Sequence, residues 1–457
     1  MLWEIELLYF VAMIATFIVL LLVCKLPAGI SLMVSAIVGL ILGGIFSGTD
    51  ISIRHLVEGG FGYFDTILII TCAMIFMVAL EKSGAMEYIS AFLIKKLYRY
   101  PTILLITFML ILMFPGMITG SSLASVVSAG ALLGPIMVKL GIPKAKAAAI
   151  VAFGAIYGMI APPINVPVMV ICDVVDIPFV GFTLPLLALT IPLAIFTVLF
   201  LGRKYLNGGT GKEEMVANVE GTEVENATTE KTKKVKKGIK LEDLDGVVNF
   251  SILEELNWTV TIPIILLVLL IALQSIFPRI FGILATPLIF IISAIPCFFL
   301  GRKANIIYTF KDGVKKSLSA MALLMGVGMF VQVFTLTGTR GYFVINALSL
   351  PDIWQYVAII VAVPVFGGIS AFGSASILGG PFVMAMLGVN EIIVASALSL
   401  IAASGEFLPP TAMSATFAAS TVEEKNYLKV TKAAIVPLIV TLVYAMLFII
   451  VVAKYWN

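Results

Sequence analysis

Nine apolar runs, each close to the length that crosses a bilayer as a helix, constrain this chain more than any other feature. They are Leu7–Val23, Ile30–Phe46, Phe64–Leu80, Thr102–Met117, Thr183–Leu201, Trp258–Phe277, Phe281–Leu300, Leu318–Leu336 and Ala433–Ala453. About 20 apolar residues span the hydrocarbon core. None of the runs alternates polar with apolar residues, as strands of a membrane barrel would. Only 12% of the 457 residues are charged and 61% are hydrophobic, against about 25% charged in soluble domains. One globular core cannot hide so much apolar surface, so the lipid bilayer is the expected solvent. The fold class is an all-α polytopic membrane protein.

A net charge of +3 is too small to point to nucleic acid. Cys24, Cys72, Cys172 and Cys297 lie in or beside apolar runs without a Cys-x-x-Cys spacing, which reads as inert buried thiols. His55, the single histidine, sits in a polar connection (Arg54–Glu58) and has no companion ligands for a metal. The first 23 residues carry Glu4 and Glu6 where a signal peptide has basic residues, so a retained first helix is expected.

One hydrophilic interval divides the chain. Residues 1–206 form a first transmembrane half, 207–257 a polar linker and 258–457 a second half. The linker carries lysines at 231, 233, 234, 236, 237 and 240 close to the next apolar run. The positive-inside rule places such a segment in the cytoplasm, and its composition predicts a mobile loop or a short surface helix. The sequon at Asn226 is a short match of little weight, and Gly208–Lys212 lacks the spacing of a phosphate-binding loop.

The halves repeat one another. Glu58–Gly59, Gly84 and Tyr88 recur as Asp312–Gly313, Gly338 and Tyr342 at a displacement of 254; Leu140–Gly141 and Pro162–Pro163 recur as Leu387–Gly388 and Pro409–Pro410 at 247. Gly/Ser-rich stretches at 114–135 and 366–381 precede the proline pairs, and a Gly-Pro step (Gly134–Pro135, Gly380–Pro381) follows each Gly/Ser cluster. Small residues serve close helix packing. A Gly/Ser cluster at the same place in both halves predicts a re-entrant hairpin or unwound helix, permitted at membrane depth only where it is buried in protein or lines a cavity. Two successive prolines break a helix, so helices are expected to end near 162–163 and 409–410 and to resume over Val166–Val175 and Ala412–Ser420.

Paired breaks in symmetric positions are the sequence mark of a carrier's binding site. The candidate substrate- or ion-binding residues are therefore Thr119, Gly120, Ser121, Ser122, Ser125, Pro162, Pro163 and Asn165 in the first half. Ser370, Gly373, Ser374, Ser376, Glu406, Pro409, Pro410 and Thr411 are their counterparts in the second. Hydroxyls and freed carbonyls are hard oxygen ligands suited to a small cation, with Ser121, Asn165, Ser374 and Thr411 as its candidate neighbours. Glu406 lies three residues before Pro409; a carboxylate at helix centre costs about 2.5–3.5 kcal/mol on insertion scales, so Glu406 either binds a coupling cation or proton or lies at the membrane surface. No Lys or Arg falls in 114–135, 154–170, 366–381 or 402–416, which leaves an anionic solute to helix N-termini and co-bound cations unless Arg340 reaches in.

With Thr119–Gly120–Ser121–Ser122 through Gly130, then Pro135, Gly141 and Gly158 through Pro162–Pro163–Ile164, the first half resembles the large permease subunit of tripartite ATP-independent periplasmic (TRAP) transporters, the DctM-like group. Pro381, Gly388 and Pro409–Pro410 resemble its second-half pattern. The resemblance covers most of both halves. It implies an elevator-type carrier of the inner membrane, importing a small organic acid such as a dicarboxylate by sodium symport. It also implies two partners, a soluble solute-binding protein and a small four-helix membrane subunit. The family's usual Asp is replaced here by Ser125, and the linker is longer than the family pattern. A binding-protein-independent organic-anion carrier of the same superfamily is the alternative. An ion channel is disfavoured by the duplication. An enzyme is disfavoured because no intramembrane histidine or nucleophile–base pair is present, and no cofactor beyond the coupling ion is implied.

Overall fold

The computed structural model describes residues 2–48, 52–206, 248–277, 284–386 and 388–455. The expectations for the linker's lysines and for the sequon fall outside the described residues, as does Leu387. Within the described residues, helices account for the apolar runs. In the first half they are α1 (Leu2–Leu22), α2 (Ala28–Ser47), α3 (Ile53–Gly62), α4 (Phe64–Ser83), α5 (Ala85–Leu97), α6 (Pro101–Thr119), α7 (Ser122–Lys139), α8 (Lys144–Ile160), α9 (Val166–Val175) and α10 (Thr183–Leu206). In the second they are α11 (Ile262–Ile276), α12 (Thr286–Phe298), α13 (Ile306–Leu336), α14 (Thr339–Ser349), α15 (Asp352–Gly367), α16 (Ala371–Ala385), α17 (Glu391–Ser404), α18 (Met413–Thr421) and α19 (Tyr427–Tyr455). Among the described residues, eight helices are long and apolar enough to cross a membrane. The polar connection expected at Arg54–Glu58 is instead helical: it lies in α3, whose N-cap Ser52 accepts a hydrogen bond from the Arg54 amide.

The halves match element for element, with one difference. Where the first half has α3 and α4 joined at Tyr63, the second has the unbroken α13. Gly84 and Gly338 both take a left-handed conformation (φ 81 and 74) and start the short helices α5 and α14. Glycine is the residue that adopts this without steric cost.

The matched elements also pack reciprocally. A Cβ on Gly59 would lie 2.6 Å from the Gly328 carbonyl oxygen, and one on Gly313 would lie 2.6 Å from Ile75 Cα. A displacement of 254 carries Gly59 to Gly313 and Ile75 to Met329, the neighbour of Gly328. Each half therefore offers the other the same contact, with the start of one element against the end of its counterpart. That is an antiparallel, approximately two-fold arrangement within one chain.

A second matched crossing recurs within each half. A Cβ on Gly116 of α6 would sit 2.7 Å from the Met159 amide and 2.8 Å from the Gly158 carbonyl carbon of α8. In the second half, a Cβ on Gly405, just after α17, would sit 2.6 Å from Gly367 Cα at the end of α15. Backbones touch here because no side chain intervenes, the way small residues let membrane helices approach. Around these crossings the interior is built from small residues. Every residue from Ala147 to Ile160 in α8 and from Ile393 to Ser404 in α17 is buried. Polar side chains bridge helices in this interior: the Tyr157 hydroxyl lies 3.0 Å from Thr197 and 2.7 Å from Thr441, joining α8, α10 and α19. Ile435, Ile439, Val443 and Leu447, spaced by four along α19, are exposed and give that helix its lipid-facing stripe.

Charged residues gather at one end of the assembly. Lys82 pairs with Asp312, Lys316 with Glu81 at 2.7 Å, and Arg302 with both Glu87 and Glu255 at 3.1 Å. Glu255 belongs to a one-turn helix, Ile252–Glu255, where the chain emerges from the linker. Arg302 beside it holds its carboxyl below the usual carboxylate range. All these pairs are solvated and contribute little to stability; Arg302→Ala is accordingly expected to change the melting temperature in detergent by no more than a degree or two. They do mark which end carries the basic residues.

Candidate functional site

Both predicted hairpins and both predicted breaks are present. The first hairpin is α6–α7, turning at Gly120 (φ 62) and Ser121; the second is α15–α16, turning over 368–370. The Gly/Ser stretches singled out by sequence cover the tips, while the arms run further on both sides. Each tip is capped in the same way: Ser121 Oγ accepts from the Ala124 amide at 3.3 Å, and Ser370 Oγ from the Gly373 amide at 3.0 Å. A serine one turn later binds each hairpin's arms together, with Ser125 Oγ donating to the Leu112 carbonyl and Ser374 Oγ to the Val363 carbonyl at 2.6 Å. A π-helical turn then follows in each, Val126–Gly130 and Ala375–Gly379.

By this register Ser121, Ser125 and Gly130 correspond to Ser370, Ser374 and Gly379, a displacement of 249. Gly134–Pro135 and Gly380–Pro381 are therefore not structural counterparts; the second pair falls three residues earlier in its hairpin, immediately after the π turn. The paired serine bonds have an energetic consequence. Ser125→Ala and Ser374→Ala are each expected to cost about 1 kcal/mol, read as a lowered melting temperature of the purified protein.

The broken helices end at the prolines. Pro162–Pro163 and Pro409–Pro410 are both cis, and past each pair the chain is tied to its own hairpin. The Ile164 amide donates to the Met117 carbonyl at 3.2 Å, and Thr411 donates to the Gly368 carbonyl through its amide at 3.3 Å and its hydroxyl at 2.7 Å. Each hairpin tip therefore stops beside the gap of a broken helix, in mid-protein.

Asn165 and Thr411 occupy different places in this scheme. Asn165 is the buried N-cap of α9: its Oδ1 accepts from the Val168 amide at 2.9 Å, and its Nδ2 donates to the Ile160 carbonyl at 2.8 Å and to Ser399 Oγ at 3.2 Å. The residue matching it in the second half is Ala412 (φ 40), which has no cap to offer. Ser121, Asn165, Ser374 and Thr411 each bond within separate local networks, and no hydrogen bond joins these four to one another among the described residues. Ser376, also singled out by sequence, is buried in the second π turn with no hydrogen-bond partner for its hydroxyl.

Glu406 joins the two halves. It is buried in the single turn Gly405–Phe407 before the second break. Its Oε2 accepts from Ser122 Oγ, at the first residue of α7, at 2.7 Å, and also from Ser414 Oγ at the start of α18. The carboxyl thus links the first hairpin tip to the second broken helix. Its counterpart in the first half is Met159, so the charge belongs to one half only.

Thr119, Gly120, Ser121, Ser122 and Glu406 share a cavity of about 240 Å³ between the first hairpin tip and the helices α4 and α13. Thr119 Oγ1 donates to the Pro115 carbonyl at 2.7 Å and accepts from the Ser121 amide at 3.3 Å. The opposite walls are apolar except for Ser319 on α13, and the Glu81–Lys316 pair stands at the mouth. Asn165, Ser370, Ser374 and Thr411 do not line it. Arg340 does not reach it either; its guanidinium donates to the Val174 carbonyl at the far end of α9.

Sequence reasoning missed Ser414, Lys316 and the apolar walls. Ser414 follows Glu406 by eight residues with a helix break between, a spacing that signals nothing without the fold. Lys316 and the walls come from α4 and α13, far from the hairpins in sequence. Among the described residues no group of three or more His, Cys, Asp or Glu side chains could hold a metal.

Comparison with known proteins agrees with this arrangement. None of the curated proteins compared matches the chain. A family model described as the tripartite ATP-independent periplasmic transporter, DctM component, matches residues 14–455, which takes in both hairpins, both breaks and Glu406. With nearly the whole chain matched, this multi-pass membrane protein belongs to the DctM family of tripartite ATP-independent periplasmic transporter components.

Proposed function

We propose that the chain is the permease of a cation-coupled importer that carries a small organic acid across the inner membrane, with sodium as the coupling ion. The observation that carries this reading is the bridge from Glu406 to Ser122 and Ser414 at the polar end of the cavity. A buried carboxylate with only hydroxyl partners lacks a countercharge, and an uncompensated ion in a low-dielectric interior costs several kcal/mol. A bound cation supplies that countercharge and gives an incoming carboxylate something to bind. Hairpin tips and half-helix ends provide the remaining oxygens, the usual setting for ion sites in carriers with broken helices.

The basic end formed by Lys82, Arg302, Lys303, Lys311, Lys315 and Lys316 supports a cytoplasmic position for that end and for the linker emerging beside Arg302. The cavity mouth at Glu81 and Lys316 lies at the same end, so this conformation corresponds to the inward-facing state. The hairpins and broken helices then form the moving body, and α1–α5 with α11–α14 the frame. A soluble binding protein and a small four-helix membrane subunit are the partners of this reading.

The test is charge movement and solute uptake in proteoliposomes, with organic acids offered in sodium or in potassium. The chain is assayed alone and again with the partner proteins. Saturable uptake that requires sodium is the expected result. A steady current that needs no cargo would make the protein a channel and end the carrier reading. Full activity without added proteins would remove the two partners from it.

A further inference from the structure

The cavity beside Glu406 has a lopsided chemistry that bears on what it carries. Thr119, Ser121, Ser122 and Glu406 make one end polar, Ser319 adds a single hydroxyl from α13, and the Glu81–Lys316 pair stands at the mouth. The facing walls are Met74, Met77 and Val78 from α4, Leu323 and Leu324 from α13, and Phe372 from the second hairpin. Among the described residues three charged side chains line it, Glu81, Lys316 and Glu406, and the one cation of the three is held by Glu81 at 2.7 Å.

A second carboxylate on the cargo would therefore point either into aliphatic and aromatic walls or at a lysine that already has its anion. Burying an unpaired carboxylate is among the costliest things a binding site can do, whereas those walls reward an apolar body of the same length. Discrimination against missing or unmatched polar partners is also far steeper than discrimination by size.

We infer that the cargo is a monocarboxylate with an apolar body, its carboxylate at the hairpin-tip end beside the coupling cation and its body against the methionine, leucine and phenylalanine wall. The inference rests on the carrier reading above and narrows its cargo. Dicarboxylates, the class implied by the resemblance, are disfavoured by the same wall.

Equilibrium binding to the full chain in lipid nanodiscs, in sodium, tests it by titration calorimetry. The probes are 4-methylpentanoate and 3-phenylpropanoate on one side and succinate on the other. Both apolar acids are expected to bind at least about tenfold more tightly than succinate, the scale of a few buried methylenes. Phe372→Ala should weaken 3-phenylpropanoate by about tenfold. Glu81→Gln, which frees Lys316, should improve succinate binding by a similar factor.

Succinate binding as tightly as the apolar acids overturns the inference. So does the absence of binding by any of the three at tens of millimolar, which removes the cavity as the cargo site. Neither result touches the carrier reading itself, which is judged by sodium-dependent flux.

Discussion

Glu406→Gln is expected to reduce sodium-driven uptake by about two orders of magnitude while leaving the melting temperature within a few degrees of the parent. Glutamine keeps the shape, and its amide oxygen can still accept from Ser122 and Ser414. What it loses is the charge. A charge-assisted interaction contributes about 1.5–3 kcal/mol, which at 1.4 kcal/mol per factor of ten reaches about a hundredfold. Glu406→Ala should do worse on both counts, because it leaves two buried hydroxyls without their acceptor at a cost of about 1–3 kcal/mol each. The measurements are the sodium dependence of uptake and thermal unfolding of the same preparations. Undiminished sodium-dependent uptake by the glutamine variant would remove Glu406 from the coupling site.

The second large effect concerns the crossings of hairpin and broken helix. Gly158→Val and Gly405→Val are expected to abolish accumulation of folded protein. A Cβ on Gly405 would lie 2.6 Å from Gly367 Cα, and one on Gly158 would lie 2.8 Å from Met113 Cα. Those neighbours are backbone and cannot rotate away. Overpacking a core ordinarily costs about 1–3 kcal/mol, but here the whole hairpin must move and with it the tip that meets Glu406. Gly341 provides the control: nothing lies within 4 Å of a Cβ there, so Gly341→Ala, inside α14, should be neutral or slightly stabilising. Yield of monodisperse protein after detergent extraction reads all three. A well-behaved Gly405→Val protein would refute the close-contact account.

Much of this architecture was legible in the sequence because membrane helices must be long and apolar, and because proline and glycine punctuate them. The prolines at 162–163 and 409–410 mark the breaks, and the helices that resume at Val166 and Met413 start within a residue of expectation. The hairpin tips were legible for the same reason. The cavity was not, since it depends on which faces of α4 and α13 turn toward the tip. Hydrophobicity that is uniform around a helix carries no information about its neighbours.

Asn165 and Thr411 show where symmetry misleads. Both follow a proline pair, yet Asn165 is two residues beyond and caps a helix, while Thr411 is one beyond and clasps Gly368. The Gly-Pro steps mislead similarly, because the second hairpin is shorter after its π turn. Glu406 could be flagged from its apolar surroundings, but its partners Ser122 and Ser414 come from both halves and only the folded chain joins them.

The unbroken α13 has a consequence for the bilayer around it. Its 31 residues make a rod of about 46 Å at 1.5 Å per residue, against a hydrocarbon core of about 30 Å. The excess is all at one end, where Lys311, Asp312, Lys315 and Lys316 occupy successive turns and hold that end at the headgroups through Lys82 and Glu81. The remaining stretch, Leu318–Leu336, carries no charged residue and is about 28 Å long. With one end anchored, membrane thickness sets how far the other end tilts or thins its surroundings. Acyl-chain length thereby becomes a tuning variable for this protein, and lipids much longer than its anchored helix should strain the frame on which everything else is mounted.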